Sequence, residues 1–301
     1  MSAFYPYGSV PYGSAPTGTP PTVTPSNEHF LILSPRESDA AVMVASSQET
    51  ALPVANLQNM QPAKVWRATA ATPQSITIDM GYPVSANALA LVGHNLTGAG
   101  ALRVRGATTQ GAVTASPAVD ASGSAWPVTG KPTAQNWPHH TSLLRWTNDN
   151  PYQYWQVDIA DGGSVLTYIE AGRLMLGRAF APTVNFDLGG QPLSFETADI
   201  QTRTPYGRTF TDRRTISPPR HFEVTVYAMT KREAFDGLAE LQRLRGTWGD
   251  VVCALDPGDS TDFHRFTMQG VFAAGGAYTL PMAFDSDGSM FGAGIRLREV
   301  I

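Results

Sequence analysis

The sequence predicts a mainly β protein of two domains, the second carrying a single flanking helix. Apolar and polar residues alternate along Ser75–Met80, Leu102–Arg105 and His221–Tyr227, the period of a half-buried strand. Only Thr230–Gly246 shows helical periodicity over a comparable length. The chain holds 28 Gly and 23 Pro, and charged residues are 15% of it, against roughly 25% in an average soluble protein. That profile suits a turn-rich β protein, or one that hides surface in an assembly.

Residues 1–27 are almost entirely Pro, Gly, Ser, Thr, Ala and Tyr, too little apolar material for a core of their own. Two readings stay open for them: a disordered tail, or an extended arm docking Phe4, Tyr5, Tyr7 and Tyr12 on a neighbouring subunit. In the leading segment 28–51, Phe30–Leu33 reads as a strand stopped by Ser34-Pro35, and Val42–Ala45 as another, with pairing to the C-terminal domain an open option. The first domain spans 52–178. Ser75–Met80 and Leu102–Arg105 alternate, Ala88–Val92 is a continuous buried run, and Tyr154–Ile159 and Ile169–Leu176 close the set. Residues 106–150 are polar, with Trp126, Trp137 and Trp146 among them.

The second domain spans 179–301, entered through Pro182, Gly189-Gly190 and Pro192. Thr202–Arg220 reads as a long polar loop with five arginines, Arg203, Arg208, Arg213, Arg214 and Arg220. His221–Tyr227 is a strand. Thr230 and Glu233 then form a capping box for the helix. Ala234, Phe235, Leu238, Leu241 and Leu244 fall on its apolar face, Arg232, Asp236, Glu240 and Arg243 opposite, and Gly246 ends it. Val251–Leu255, Phe263–Phe272, Tyr278–Phe284 and Gly294–Val300 follow as strands. The distinct strand sets on either side of Arg178–Pro182 predict separate cores, so that removing the first domain would leave the second folded.

The slight acidic excess, a net charge of -4, argues against a dedicated nucleic-acid binder. The single Cys253 excludes an intrachain disulfide and reads as a small core residue. No apolar run is long enough to insert in a membrane, and the N-terminus resembles no secretory signal, so folding in a cytoplasm is the expectation. No nucleophile elbow, phosphate loop or dinucleotide fingerprint appears, so no catalytic residue, cofactor or enzyme activity is expected. His29, His94 and His139-His140 lack partners at metal-ligand spacing, and Asp285–Ser289 lacks the closing glutamate of a calcium loop, so no metal is expected.

Asn56-Leu57, Trp66-Arg67, Ile76–Gly81, the YWQVDI strand and the YIEAGRLMLGR strand resemble the galactose-binding-like, or discoidin-type, β-sandwich (jelly roll) over residues 52–178. The aromatic-rich loops of this domain, with Trp126, Trp137, His139, His140 and Trp146, are the sugar-contact candidates, since aromatic faces stack on sugar rings. The other reading has these tryptophans covering the sandwich ends. The order of strands, polar loop, strand, helix and strands, with LAELQRLRGTWGDVVCALDP, resembles the tail-tube family of bacteriophage virion proteins. It implies a tail-tube-like β-sandwich with one flanking α-helix, and a distal tail ring of copies of itself, a hexamer, joining the tail tube to tail-tip or hub proteins in the virion. Ring closure would then set Arg203, Arg208, Arg213, Arg214 and Arg220 against Asp256, Asp259 and Asp262 of the next copy. The alternative is a carbohydrate-binding protein or host-receptor-binding module whose partner is a host surface glycan.

Overall fold

The computed structural model describes residues 29–124, 140–164, 166–186, 193–196, 200–212, 218–258, 263–273, 277–279 and 290–300. The first unit is a sandwich. Its five-stranded sheet runs β2 (Val42–Ala45), β4 (Gln74–Ser85), β9 (Pro151–Asp161), β6 (Gly100–Ala107), β7 (Val119–Ser124). Its three-stranded sheet runs β11 (Arg173–Gly177), β5 (Ala88–Val92), β8 (Thr141–Arg145), and β3 (Trp66–Arg67) pairs with β10 (Glu170–Ala171). The alternation on β4 works as read: Gln74, Ile76, Ile78 and Met80 are buried, and Ser75, Thr77 and Asp79 only partly. Ile76 and Ile78 meet Leu89, Leu91, Leu174, Trp66 and Trp155 in the sandwich core.

The second unit is an eight-stranded sheet. Its order is β12 (Ala179–Phe180), β1 (Leu31–Leu33), β17 (Asp250–Ala254), β18 (Thr267–Phe272), β20 (Phe291–Glu299), β16 (Arg220–Met229), β13 (Leu193–Phe195), with β19 (Ala277–Thr279) also on β20. A separate hairpin pairs β14 (Ile200–Arg203) with β15 (Thr209–Asp212). Besides a 3-10 turn at Val54–Gln58, the helices among the described residues are α1 (Arg36–Ala40), α2 (Gln110–Ala115), α3 (Glu233–Ala239 continued by Glu240–Arg245) and α4 (Phe263–Phe266). Helix α3 covers one face of the large sheet.

α3 departs from the expected regular helix. Its first part, Glu233–Ala239, is π-helical and only Glu240–Arg245 is α. The capping box forms: Thr230 N and Oγ1 both donate to Glu233 Oε2 at 2.8 Å, and Glu233 N donates to Thr230 Oγ1. The wider turn brings Ala234, Leu238 and Leu241 onto the sheet but leaves Phe235 39% exposed. Leu244 is half-buried, and Arg245 takes the inward position. Gly237 is needed here, because a Cβ would stand 2.7 Å from the Phe180 ring.

Two expected strands are also shortened. Gly172 splits Ile169–Leu176 into β10 and β11, and a Cβ there would lie 2.1 Å from the Pro62 carbonyl oxygen, which only glycine permits. Phe263–Phe266 is helical, so β18 starts at Thr267.

Each unit has an apolar cluster of its own, and a third cluster is built from both. β1 pairs with both β12 and β17, while β2, nine residues later in the chain than Leu33, pairs with β4 of the sandwich. Alternate residues of the continuous apolar runs serve two different cores. On β5, Leu89 and Leu91 face the sandwich core, whereas Ala88, Ala90 and Val92 face a middle cluster. On β17, Val251 and Cys253 face the α3 side, whereas Val252 and Ala254 join that same cluster, with Leu31, Leu33 and Met175. The small sheet of the sandwich therefore packs against the large sheet, and alanines let the two come close. Cys253 is fully buried, and burial pushes its thiol up to about 12, so it is a core residue.

Candidate functional site

At one edge of the middle cluster a buried group of charges ties the two units. Arg173, in the apolar run of β11, is 1% exposed. Its Nε and Nη2 donate to Asp250 at 2.8 and 2.9 Å, and its Nη1 and Nη2 to Asp39 at 2.6 and 2.9 Å. A further bond from Nη1 reaches the Leu57 carbonyl at 3.2 Å, so all the N–H donors of the guanidinium are used. Asp250 also accepts from Arg245 Nη2 at 2.9 Å and Gln269 Nε2 at 2.7 Å. Gln58 Nε2 donates to the carbonyls of Ser38, Asp39 and Ala41, closing the end of α1. The sequence analysis missed this group, although a lone arginine inside an apolar run was its visible sign.

The loops after β5 and β9 gather at one end of the sandwich. Thr97 donates to Asp161 from both N and Oγ1 at 2.6 Å, and Gly163 N adds a third bond at 3.0 Å. Burial opposes the charge on Asp161, but these donors outweigh it and hold its carboxyl below the usual value. Ser142 Oγ lies 2.7 Å from His94 Nε2. The pairing resembles half of a nucleophilic triad, but Ser142 is fully buried inside β8 and has no route to a substrate. Nearby, Arg67 donates twice to Glu170 Oε2 and lies 4.2 Å over the Tyr168 ring, a partly exposed aromatic and charged pair that the sequence analysis also missed.

The sugar-contact candidates fare differently. Trp126, Trp137 and His139 lie outside the described residues. His140 is half-buried, and its carbonyl accepts from Gly93 N at 2.7 Å. Trp146 is corrected to a core residue: it is 8% exposed, packs 5.9 Å from Trp155, and donates its indole N–H to Ala86 O at 2.8 Å.

The arginine candidates divide too. Part of the expected loop is the β14–β15 hairpin, with Thr204 N donating to Arg208 O and Gly207 at φ 79 in the turn. Arg203 and Arg208 are exposed there, while Arg213, Arg214, Asp259 and Asp262 lie outside the described residues. Asp256 is exposed beyond β17, its Oδ1 accepting from Gly258 N at 3.2 Å. Arg220 is corrected. It opens β16, is 1% exposed and grips Glu299 at 2.6 Å, so it belongs to the interior.

The exposed large apolar residues concentrate on the second unit. Tyr206 and Phe210 on the hairpin are 94% and 60% exposed, and Trp248 beyond α3 is 69% exposed. Phe195 on β13, an edge strand of the large sheet, is 49% exposed. A cleft of about 370 Å³ beside it is lined by Ser194, His221, Phe222, Glu223, Ala273 and Arg296. Arg296 there already pairs with Glu223, and His221 Nε2 lies 3.0 Å from Glu196 Oε2, which leaves little for a charged ligand. No group of metal-ligating side chains occurs among the described residues, and no helix among them is long and apolar enough to cross a membrane.

No protein-family model and no curated protein sequence matches the chain. Among solved structures it is similar to the family 32 CBM of Clostridium perfringens NanJ in complex with galactose, at 14% identity and a TM-score of 0.31, over 48% of this chain and 98% of that one. It is similar also to CBM32-3 from a family 31 glycoside hydrolase of the same organism, at 14% identity and a TM-score of 0.35, over 47% and 97%. A third is chitosan-binding module 1 of a Paenibacillus sp. IK-5 chitosanase/glucanase, at 12% identity and a TM-score of 0.32, over 46% and 94%. Likenesses this distant carry no weight for ligand or activity.

Proposed function

We propose that this chain is a non-catalytic binding and assembly protein, in which the second unit joins copies of itself and the sandwich, packed against it, engages a surface glycan. The observation that supports assembly is the number of large apolar side chains that the second unit exposes. Phe195, Phe210, Phe235 and Trp248, all exposed, belong to the second unit. Large apolar side chains left exposed are candidates for burial against a partner. The finer reading keeps the tail-tube resemblance: a ring at the distal tail of a long-tailed bacteriophage, between the tail tube and the tip proteins, built in the host cytoplasm. The glycan half draws on the resemblance of residues 52–178 to the galactose-binding-like sandwich, which makes galactose the first sugar to try, with chitosan as a second probe. The competing reading is a monomeric carbohydrate-binding or receptor-binding protein.

Light scattering with negative-stain imaging of the whole chain, and titration with both sugars, separates these. Closed rings are the expected result. A stable monomer that binds sugar would replace assembly by the competing reading, and a monomer that binds neither would sink both. Within a ring, Tyr206→Ser combined with Phe210→Ser is expected to weaken association at least about tenfold, the effect of losing apolar anchors from an interface. The melting temperature of the dissociated chain should stay unchanged, because neither side chain is buried. Undiminished association would remove the hairpin from the interface.

A further inference from the structure

The seam between the two units contains an acid that the ion-pair group does not use. Glu37 lies on α1 and is 6% exposed, and its Oε1 has no hydrogen-bond partner among the described residues. Its Oε2 lies against β11, 3.7 Å from where a Cβ of Gly177 would stand. α1 is tied to β11, where Leu176 N donates to Ser38 Oγ at 3.2 Å and Arg173 pairs with Asp39, and Asp39 also lies 3.8 Å from Arg245 at the end of α3. Directly after β1, the helix is thus a wedge between β11 of the sandwich and the end of α3 on the second unit.

The charges around Glu37 leave it poorly compensated. Arg173 and Arg245 are matched by Asp39 and Asp250. On its own element Arg36 attracts it and Asp39 repels it; from α3 Arg245 attracts it; from the end of β4 the Tyr82 hydroxyl faces it; from β11 and β17 come Arg173 and Asp250, already bonded to each other. Burial is the largest influence and outweighs the attractions.

We propose that α1 is a proton-controlled wedge: Glu37 seats it between the two β units as a neutral acid, and ionisation of that carboxyl loosens the seam formed by β1, β11 and β17. The direction is fixed by linkage. Burial raises the Glu37 carboxyl from 4.5 to about 7 in the closed seam. The closed state therefore holds a proton that the open state releases, and opening becomes easier as pH rises between those values. Beyond about 7 both states are ionised and the dependence flattens.

Hydrogen exchange read by mass spectrometry on the full chain, corrected for the intrinsic pH dependence of exchange, tests this. Between pH 6 and pH 8, opening of peptides from β11 and β17 is expected to rise about tenfold, while peptides from β6 and β7 in the outer sheet stay level. Glu37→Gln, which cannot ionise, should abolish the rise, and Glu37→Met provides the same comparison should the amide variant be unstable. A seam with no more pH response than the outer sheet would overturn the proposal. So would a response that persists in either variant.

Discussion

Asp250→Ala will destabilise the protein by about 3–5 kcal/mol, the cost of leaving buried charges without their partner. Asp250 is 1% exposed and accepts from Arg173, Arg245 and Gln269, with each of its oxygens taking two bonds. Without it, Arg173 keeps Asp39 but loses two bonds, and Arg245 loses its nearest counter-charge, with Asp39 3.8 Å away. Because Arg173 belongs to the sandwich and Asp250 to the large sheet, the loss falls on both units. Denaturant unfolding followed by fluorescence, from Trp66 and Trp155 in the sandwich core, and by far-ultraviolet circular dichroism should shift together, as one cooperative transition. Arg243→Ala is the matched control, since Arg243 pairs with Glu240 at the surface with its side chain 58% exposed, and it should change little. A near-normal midpoint for Asp250→Ala, or a shift confined to one probe, would show that the two units are not coupled through this group.

Most of the secondary structure was legible in the sequence because strand alternation and a capping box are local signals. Ile76 and Ile78 on β4, and Thr230 with Glu233 at the start of α3, do what their spacing says. What was not legible was the third layer of packing. A continuous run such as Ala88–Val92 states that both faces are covered, but not by what, and one face turned out to cover the second unit. The same gap hid the ion-pair group: Asp39, Arg173 and Asp250 lie far apart in the chain, and only the fold brings them within 2.6 to 2.9 Å. Composition misled at Trp146 and Arg220. A tryptophan among polar residues and an arginine in an arginine-rich stretch both look like surface residues, yet Trp146 directly follows β8 and Arg220 opens β16, and both are buried. Arg203 and Arg208 flank the turn of a two-stranded hairpin separate from the large sheet, and stayed outside.

Arg220→Ala is expected to cost a comparable 3–5 kcal/mol, roughly the price of orphaning a buried carboxylate. Arg220 donates to Glu299 through Nε at 3.0 Å and Nη2 at 2.6 Å, and Glu299 is itself only 6% exposed. Its Nη1 donates to the carbonyls of His264 and Arg265 at 2.9 and 3.0 Å, and Nη2 also reaches the Thr267 carbonyl at 3.0 Å. Those carbonyls belong to α4 and the first residue of β18, so one side chain closes a helix end and joins β16, β18 and β20. Lysine offers three donors from a single point where arginine spreads five over a planar fork, so Arg220→Lys should recover only part of the loss. The readouts are the denaturant midpoint of the full chain and its association state well below the melt. An interface residue would behave in the opposite way, losing association while the midpoint held. An Arg220→Ala protein with an unchanged midpoint and broken association would therefore return this arginine to the surface and overturn its assignment to the core.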